Sequence, residues 1–191
     1  MAEEQVTERE RAAEREARRR YVLGQVRQYP DPILRLRTRD VTDFDEALAT
    51  LVERMTGVMA SAQGVGLAAP QIGILQRVLV YQAEEDSEPA VLVNPVVVSR
   101  SEEVDVVDEG CLSLDAAGVT VAVERPVAVT LEARTPAGEP VRVEAEGLEA
   151  RVIQHEVDHL DGILIIDRTT PEERRRALAH LRPQPVLGPL G

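Results

Sequence analysis

The sequence has little cysteine and no long apolar run, and each absence excludes a class of protein. Cys111 is the only cysteine in 191 residues, so no disulfide can form within the chain. No stretch reaches the roughly 18 apolar residues that a membrane-spanning helix requires. Residues 1–20 lack the apolar segment of a secretory signal and contain more glutamate than an organelle transit peptide. We therefore expect a soluble cytoplasmic protein with no membrane partner.

Positive charge and aromatic residues are also scarce. Acidic residues outnumber basic ones by 34 to 22, and the formal net charge is −12. Proteins that bind phosphate backbones need clustered positive charge, so we expect no nucleic-acid partner. With one Phe, three Tyr and no Trp, the core must be built from Val, Leu, Ile and Ala. The length suits one globular domain.

The sequence predicts three helices, the first from apolar residues at three- and four-residue spacing and the last from a proline at a tolerated first position. The first begins near Asp43, with Thr42 or Asp43 as its N-cap. The second covers Leu148 to Leu160 and ends where a glycine, Gly162, suits a helix C-terminus. The third covers Pro171 to Leu181.

Segments rich in Val and Leu predict β-strands between the first two helices. Thr135 to Glu139 has the composition of a turn that joins the last two strands as an antiparallel hairpin. A further short strand is predicted at Ile163 to Ile166. The predicted strands of the middle region are Arg77 to Tyr81, Ala90 to Val98, Val119 to Val123, Val127 to Ala133 and Val141 to Ala145.

Separate helices and antiparallel strands indicate an α+β fold. We expect one compact catalytic domain at residues 21–170. The charged extension 1–20 before it is either a helix held by charge pairs or a solvated segment. After it, residues 171–191 form the short helix and then an irregular tail rich in Pro and Gly.

The segment His155-Glu156-Val157-Asp158-His159 has the H-E-x-x-H pattern of hydrolytic zinc sites. Two histidines four residues apart lie on one face of a helix, about 6 Å apart along its axis, so both can bind one metal ion. Glu156 follows the first histidine, where its carboxylate can reach a water molecule at the site. The alternative is a chance pair of surface histidines on an acidic helix.

A catalytic metal site needs a third protein ligand and an open position. The candidates are Cys111, His180 and the many acidic residues. His180 lies on the short last helix and is expected to face solvent. Cys111 follows a glycine that permits an unusual turn, and it is either a ligand or a small buried apolar residue. A thiolate with two imidazoles would suit Zn²⁺ or Fe²⁺.

Three segments together resemble the signatures of peptide deformylases. Gly64 to Gln71 (GVGLAAPQ) resembles the first, Glu109 to Ser113 (EGCLS) the second, and Gln154 to Leu160 (QHEVDHL) the third. They stand in the family's order and at close to its spacing, and the resemblance covers about residues 21–170. Three motifs found jointly are far more specific than any one of them.

The resemblance implies an α+β domain in which antiparallel strands pack around a central metal-binding helix. It implies Cys111, His155 and His159 as ligands of one divalent metal ion, Fe²⁺ in cells and Zn²⁺ or Ni²⁺ in purified protein. The implied activity is hydrolysis of the N-formyl group of formyl-methionine on newly synthesised polypeptides, with release of formate. The substrate partners are therefore N-formyl-methionyl nascent peptides.

The resemblance also implies roles for residues around the metal. Glu156 is the implied general acid and base, while Gln71 and the backbone N–H of Leu112 hold the reacting oxygen. Separately, Gly64 and Gly66 have no side chains, so they either let a substrate backbone approach closely and pair as an added strand or simply form a turn.

Glu109 and the segment after Cys111 are less clearly assigned. Glu109 is either a substrate contact or an anchor of the metal site. Leu114 to Gly118 lacks the proline that family members commonly have here, and it contains no arginine of the kind that some members place near the substrate. The preference beyond formyl-methionine is therefore left open.

The family resemblance gives only partial support for a ribosomal partner near the exit tunnel. Some bacterial members dock through a long basic C-terminal helix, which this chain lacks. Arg174, Arg175 and Arg176 form a small basic cluster, whose simpler explanation is a solvated helix face.

Two other functions fit parts of the sequence. A metalloprotease would use the same helix, but it would not explain the cysteine segment and the glycine-rich segment together. The other is a structural metal module, or a deformylase-like protein that only binds nascent chains. Structural zinc normally has four protein ligands, and no fourth ligand stands out.

Overall fold

The computed structural model describes residues 2–84 and 86–181, which form four α-helices and seven β-strands joined by short 3₁₀ turns. The charged extension forms a helix, and the predicted irregular residues 182–191 lie outside the described part. The helices are α1 (Ala2–Leu23), α2 (Glu46–Ser61), α3 (Gly147–Leu160) and α4 (Pro171–Leu181). The strands are β1 (Gly66–Ala68), β2 (Val78–Tyr81), β3 (Ala90–Arg100), β4 (Val104–Glu109), β5 (Val121–Pro126), β6 (Ala128–Arg134) and β7 (Pro140–Glu146).

The strands form two antiparallel sheets, and α3 contacts both. Five strands pair in the order β1-β2-β3-β6-β7, and β4 pairs with β5. Ile153 and Leu160 of α3 are buried in one apolar cluster with Leu79 and Leu131 of the large sheet. On another side, Gln154 Nε2 donates to the carbonyl of Pro126 on β5 at 2.9 Å. The predicted α+β fold with a central helix is confirmed.

The ends of α3 are fixed by glycines with left-handed backbones. Gly147 has φ +56° where β7 turns into the helix. Gly162, with φ +77°, follows the C-cap Asp161, and a Cβ at Gly162 would lie 2.6 Å from the carbonyl oxygen of Arg35. Only glycine adopts this conformation at this distance from backbone without strain. The predicted helix and its glycine stop are confirmed.

The N-terminus of α2 lies two residues beyond the predicted cap. The side chain of Asp45 accepts a hydrogen bond from the Leu48 N–H at 3.1 Å, so Asp45 is the N-cap. The prediction of Thr42 or Asp43 as cap was wrong. Thr42 instead donates its hydroxyl hydrogen to Asp43 at 2.9 Å, so these two side chains bond to each other.

Two further local predictions need correction. The strand predicted at Ile163 to Ile166 was wrong, because Ile165–Asp167 is a 3₁₀ turn in which Asp167 accepts from the Leu164 N–H at 2.9 Å. Strand β4 was missed, since most of its residues are exposed and it lacks a buried apolar face. The predicted hairpin of β6 and β7 is confirmed, with Leu131 opposite Val143.

Candidate metal centre

Two elements bring the three predicted ligands together. His155 and His159 lie one turn apart on α3, and their ring centroids are 5.0 Å apart. Cys111 comes from the segment between β4 and the next 3₁₀ turn, and its Sγ lies 3.2 Å from His159 Nε2. One potential ligand atom of each residue lies within 4.8 Å of the others, so the group could hold a metal ion.

Glu109 fixes the orientation of the first histidine. Its Oε2 lies 3.0 Å from His155 Nδ1, which places the proton on Nδ1 and leaves Nε2 for a metal ion. Burial alone would lower the pKa of His155, but hydrogen bonds with Cys111 and Glu109 outweigh it and raise that pKa well above its usual value. Cys111 and Glu109 therefore stabilise positive charge on His155, which can bind a metal ion once its second proton is lost.

His159 is enclosed more completely than His155. Its side chain is buried, and its Nδ1 has no hydrogen-bond partner within residues 2–84 and 86–181. Burial lowers the pKa of His159 well below the usual value, and the nearby charge of His155 is the second cause. A neutral imidazole is the form that binds a metal ion, so the soft sulfur and two nitrogens fit Zn²⁺, Fe²⁺ or Ni²⁺.

A buried charge network stands behind these ligands. Arg125 on β5 forms a bidentate ion pair with Glu109, with N···O distances of 2.7 and 2.9 Å. It also donates a hydrogen bond to Asp158 on α3 at 2.8 Å. Asp158 also accepts from Arg168 at 2.5 Å, and Glu109 from Arg151 at 2.7 Å. The pKa of Glu109 is lowered well below its usual value despite its burial, because His155 and Arg125 donate to it. The network therefore connects β4, β5 and α3 through buried ion pairs.

This network was not predicted from the sequence. Asp158 is only 7% exposed, so it belongs to the buried network and not to the helix surface. Arg125 follows Val121 and Val123 at two-residue spacing in β5, so all three face inward. A charged residue at an inward position of a strand was the signal that could have identified it.

Glu156 lies beside the ligand cluster, and one of its carboxylate oxygens accepts no hydrogen bond from the described residues. The side chain is 3% exposed, and Oε2 is buried without a hydrogen-bond partner in that part of the chain. Burial raises its pKa to about 7. A Cβ on Gly66 would lie 2.4 Å from Glu156 Oε1, so the glycine leaves the space that this carboxylate occupies.

Gln71 turns its amide nitrogen towards the cluster. Its Oε1 accepts from the Ala68 N–H at 2.7 Å, which fixes the amide. Its Nε2 lies 3.3 Å from Ser113 Oγ and 3.9 Å from Cys111 Sγ. Gln71 is buried, so its amide N–H has a fixed position that faces Cys111.

Leu112 and Gly64 close the other side of the site. Leu112 begins the 3₁₀ turn Leu112–Ala117, where a first-turn N–H has no acceptor within the turn. Its carbonyl accepts from Gln28 Nε2 at 2.8 Å. A Cβ on Gly64 would lie 2.8 Å from Leu112 Cδ1, so the glycine allows the close approach of these two segments.

A cavity of about 390 Å³ opens onto the cluster. Cys111, His155 and Glu156 lie in its wall, together with the predicted residues Gly64, Gly66, Gln71, Glu109 and Leu112. Its apolar lining is formed by Val65, Val107, Leu148 and Val152. The remaining candidate ligand of the sequence analysis, His180, is exposed on α4, as predicted.

The known proteins to which this chain is similar are deformylases. The polypeptide deformylase family matches residues 23–175. The peptide deformylase of Natranaerobius thermophilus is 47% identical over 146 residues, which is 76% of this chain and 92% of the relative.

Solved structures show the same fold. Peptide deformylase 1B of Arabidopsis thaliana, in complex with an inhibitor, has a TM-score of 0.78 at 38% identity and covers 82% of this chain and 87% of that chain. The peptide deformylase of Thermotoga maritima has a TM-score of 0.73 at 44% identity, over 76% of this chain and 97% of that chain.

Fold and site together define a hydrolase of the α+β class with a group that could hold a metal ion. The chain belongs to the polypeptide deformylase family, whose members remove the N-formyl group from new polypeptides. None of the helices in the described residues has the length and apolar content needed to cross a membrane.

Proposed function

We propose that this chain deformylates formyl-methionyl peptides in the 390 Å³ cavity, with Cys111, His155 and His159 as the ligands of one divalent metal ion. The observation that carries the proposal is the position of Glu156. Its buried Oε2 has no hydrogen-bond partner within residues 2–84 and 86–181 and lies next to the ligand cluster, where a catalytic proton acceptor is needed.

The proposed metal in cells is Fe²⁺, and Zn²⁺ or Ni²⁺ are expected in purified protein. One sulfur and two nitrogens suit all three ions, so the donor set supports this group of metals without selecting among them. When bound, the metal ion supplies Lewis acidity, which makes water a stronger nucleophile and polarises the formyl carbonyl.

Glu156 moves the proton. A carboxyl group with a pKa of about 7 can take a proton from the attacking water and give it back in the same turnover. Oxygen adds to the formyl carbon, the C–N bond breaks, and the proton held by Glu156 passes to the departing amine. The products are formate and a free N-terminal methionine.

Gln71 and Leu112 stabilise the charge that develops on the formyl oxygen. The Gln71 amide is held by Ala68, so its N–H can donate without reorganising during the reaction. The Leu112 N–H, in the first residue of a 3₁₀ turn, is the second proposed donor. Fixed donors of this kind contribute most when negative charge forms.

The methionine side chain fits the apolar part of the cavity. Val65, Val107, Leu148 and Val152 offer aliphatic surface of the kind that a flexible thioether chain packs against. Gly64 and Gly66 let the substrate backbone run alongside the chain. We assign Glu109 to orienting His155 rather than to substrate, because its oxygens bind Arg125, Arg151 and His155.

The proposed setting is the cytoplasm, where formylated chains emerge from the ribosome. Residues 21–170 are the proposed catalytic domain, flanked by the charged extension 1–20 and by residues 171–191. Arg174, Arg175 and Arg176 are exposed on α4, which supports a weak ribosomal contact near the exit tunnel.

A formate assay tests the proposal. Protein purified anaerobically and loaded with Fe²⁺ or Ni²⁺ is expected to release formate from a formyl-Met peptide, and a chelator is expected to abolish the reaction. Unformylated peptides serve as the control. Cleavage of their internal bonds would instead identify a protease, and binding of peptide ends without turnover would identify a binding module.

A further inference from the structure

A second cavity adjoins the catalytic cavity at the end of β4. It has a volume of about 300 Å³ and is lined by residues of β5 and α4 and of the segment before β5. Asp108 lines both cavities, so the two meet at this residue. We call the second cavity the α4 groove, and the polar side chains that line it besides Asp108 are Thr120, Glu173, Arg176 and His180.

Gly110 leaves the boundary between the two cavities open. Gly110 lines the catalytic cavity, and a Cβ built on it would meet only Thr120 Cγ2, at 3.8 Å. Thr120 in turn lines the α4 groove. Because a glycine has no side chain, a peptide that leaves the catalytic cavity can pass close to the backbone at Gly110 and enter the α4 groove.

The backbone of β4 has a free edge along which such a peptide can run. Asp108 lies opposite Ala122 of β5, and the Ala122 N–H donates to Glu173 Oε2 on α4 at 2.9 Å. Opposed residues of an antiparallel pair point their N–H and C=O groups either towards each other or away from each other. The groups of Ala122 point away from β4, so those of Asp108 point away from β5. This edge of β4 pairs with no other strand among the described residues, and an extended peptide can pair with it.

The distance along the chain determines which substrate residue meets Asp108. In the proposed reaction the Leu112 N–H donates to the formyl oxygen, so the formyl group lies beside Leu112. Leu112 follows Asp108 by four positions, which allow at most about 13 Å, or three to four residues of an extended peptide. Because Leu112 belongs to a 3₁₀ turn, the distance is shorter, and we place Asp108 beside the second or third substrate residue.

Asp108 is an uncompensated charge where the two cavities meet. Its side chain is exposed and takes part in none of the ion pairs within residues 2–84 and 86–181. On α4, hydrogen bonds from Thr169 and the Ala122 N–H lower the pKa of Glu173, and the charge of Arg176 lowers it further. Glu173 and Arg176 therefore offset each other, whereas Asp108 has no such neighbour. A carboxylate in this position favours a basic group on the ligand.

We propose that the substrate peptide leaves the catalytic cavity past Gly110 and continues into the α4 groove, and that Asp108 binds a basic side chain at its second or third position. The inference rests on the proposed deformylation, since it extends the substrate site of that cavity. A lysine carries its charge on a flexible four-carbon chain, so it can reach an exposed carboxylate beside the peptide backbone. The polar lining of the α4 groove suits the peptide groups of the residues that follow.

Matched peptides test the role of Asp108. The kcat and KM of the metal-loaded protein are measured with formyl-Met peptides that carry lysine or N-acetyl-lysine at the second or third position. At low salt we expect kcat/KM to be roughly two- to fivefold higher for lysine at one of these positions, as for a partly exposed ion pair, with the difference in KM. The difference should decrease at high salt.

Variants of two acidic residues of the small sheet show whether Asp108 is responsible. Asp108→Asn keeps the shape of the side chain and should reduce the lysine/acetyl-lysine ratio to about one, while Asp108→Lys should bring it below one. Glu124→Gln is the control, because it removes the same charge from an exposed position on β5 that lines neither cavity. It should leave the ratio unchanged.

Peptide length tests the path into the α4 groove. Formyl-Met peptides of three and six residues that share their first three residues are compared. Extension should lower KM by roughly two- to tenfold, as for about one additional hydrogen bond. Thr120→Trp places a large side chain in the α4 groove, at an exposed position that does not line the catalytic cavity. It should remove the gain from extension and leave the KM of the three-residue peptide unchanged.

The outcomes separate this inference from the proposed function. Equal kcat/KM for lysine and acetyl-lysine peptides in the unaltered protein, a ratio that persists in Asp108→Asn, or a gain from extension that is absent or persists in Thr120→Trp would each overturn the inference and leave deformylation standing. Failure to release formate from every formyl peptide would overturn both. A thermal unfolding curve for each variant separates a folding defect from a lost contact, and the reversal in Asp108→Lys cannot arise from instability.

Discussion

The cavity has an inner wall and an outer rim, and they differ in how firmly their side chains are held. Glu156 lies in the inner wall and is 3% exposed, and the neighbouring ligand His159 is buried behind the wall at 1% exposure, next to the network around Arg125. The rim carries Val65 and Leu148, which are 50% and 56% exposed. The reacting groups are therefore fixed from several directions, whereas the groups that meet substrate side chains have room to vary.

The ion pairs show the same contrast. Arg125 and its partner Glu109 have side chains that are 4% and 7% exposed, whereas Arg142 and Glu132 on the surface are 56% and 64% exposed. Buried pairs lose little to solvent screening, but a charge left there without its partner is costly. Changes on the inner wall should thus have larger effects than equivalent changes outside it.

The largest effect is expected at the centre of the inner wall. Glu156→Gln keeps the shape of the side chain but removes the proton acceptor, so kcat should fall by roughly 10²- to 10⁴-fold. Formate release measures the loss, and elemental analysis should show an unchanged metal content. Glu172→Gln, on the exposed start of α4, is the control. If Glu156→Gln retained full activity, this residue would lose its assigned role.

The contrast between ion pairs can be measured directly. Arg125→Ala leaves Glu109 and Asp158 buried with fewer partners, so the free energy of unfolding should fall by about 3–5 kcal/mol. Arg142→Ala removes a surface pair and should cost about 1 kcal/mol at most. Urea unfolding of both variants gives the comparison. Equal losses would show that burial does not distinguish the two pairs.

Gly66 lies between the inner wall and the rim, and its replacement should lower the catalytic rate. A Cβ in Gly66→Ala would meet Glu156 Oε1 at 2.4 Å and displace the carboxylate. A shift of about 1 Å in a catalytic group can cost about 100-fold in rate, with metal content retained. Gly57→Ala is the matched control, because a Cβ there meets nothing within 4 Å. That variant should keep full activity and gain up to about 1 kcal/mol of helix stability. A fully active Gly66→Ala would contradict the close packing.

A smaller effect than at Gly66 is expected at Asp167, outside the cavity. Burial alone would raise the pKa of Asp167, but a hydrogen bond from Arg35 and another from the Leu164 N–H lower it. Asp167→Asn should therefore lower the free energy of unfolding at neutral pH by about 1–2 kcal/mol.

The pH dependence of that loss has a definite sign. Because the folded-state pKa is the lower one, the stabilisation by Asp167 is present above the ordinary pKa of about 3.9 and is lost as the pH falls through the folded-state value. Urea unfolding of both proteins at neutral and acidic pH should show the difference shrinking with acid. A difference that stayed constant would mean that the asparagine acts through packing instead of charge.

Local spacing was enough to predict the parts of the site that lie on one element. His155 and His159 are four residues apart, so helical geometry alone places them on one face. Gly162 marked the end of the same helix, because a left-handed residue there favours glycine. Such features depend on neighbours in the chain, which the sequence displays.

Features that depend on distant residues were less accessible. Arg125 binds Asp158 across 33 positions, and no local pattern indicates such a pair. Cys111 could be a ligand or a buried residue by its own context, and only the resemblance to the family decided between them. Short apolar runs such as Ile163 to Ile166 are ambiguous, because a buried turn and a buried strand have the same composition.

The placement of α1 matters for the design of inhibitors. A compound that binds the metal ligands and extends past Gly64 would reach a surface to which Arg19 contributes. A protein shortened to residues 23–175 for screening would lack that side chain and the buried Val22 beside it. Compounds selected against the shortened chain would then be ranked on a binding surface that differs from that of the 191-residue chain.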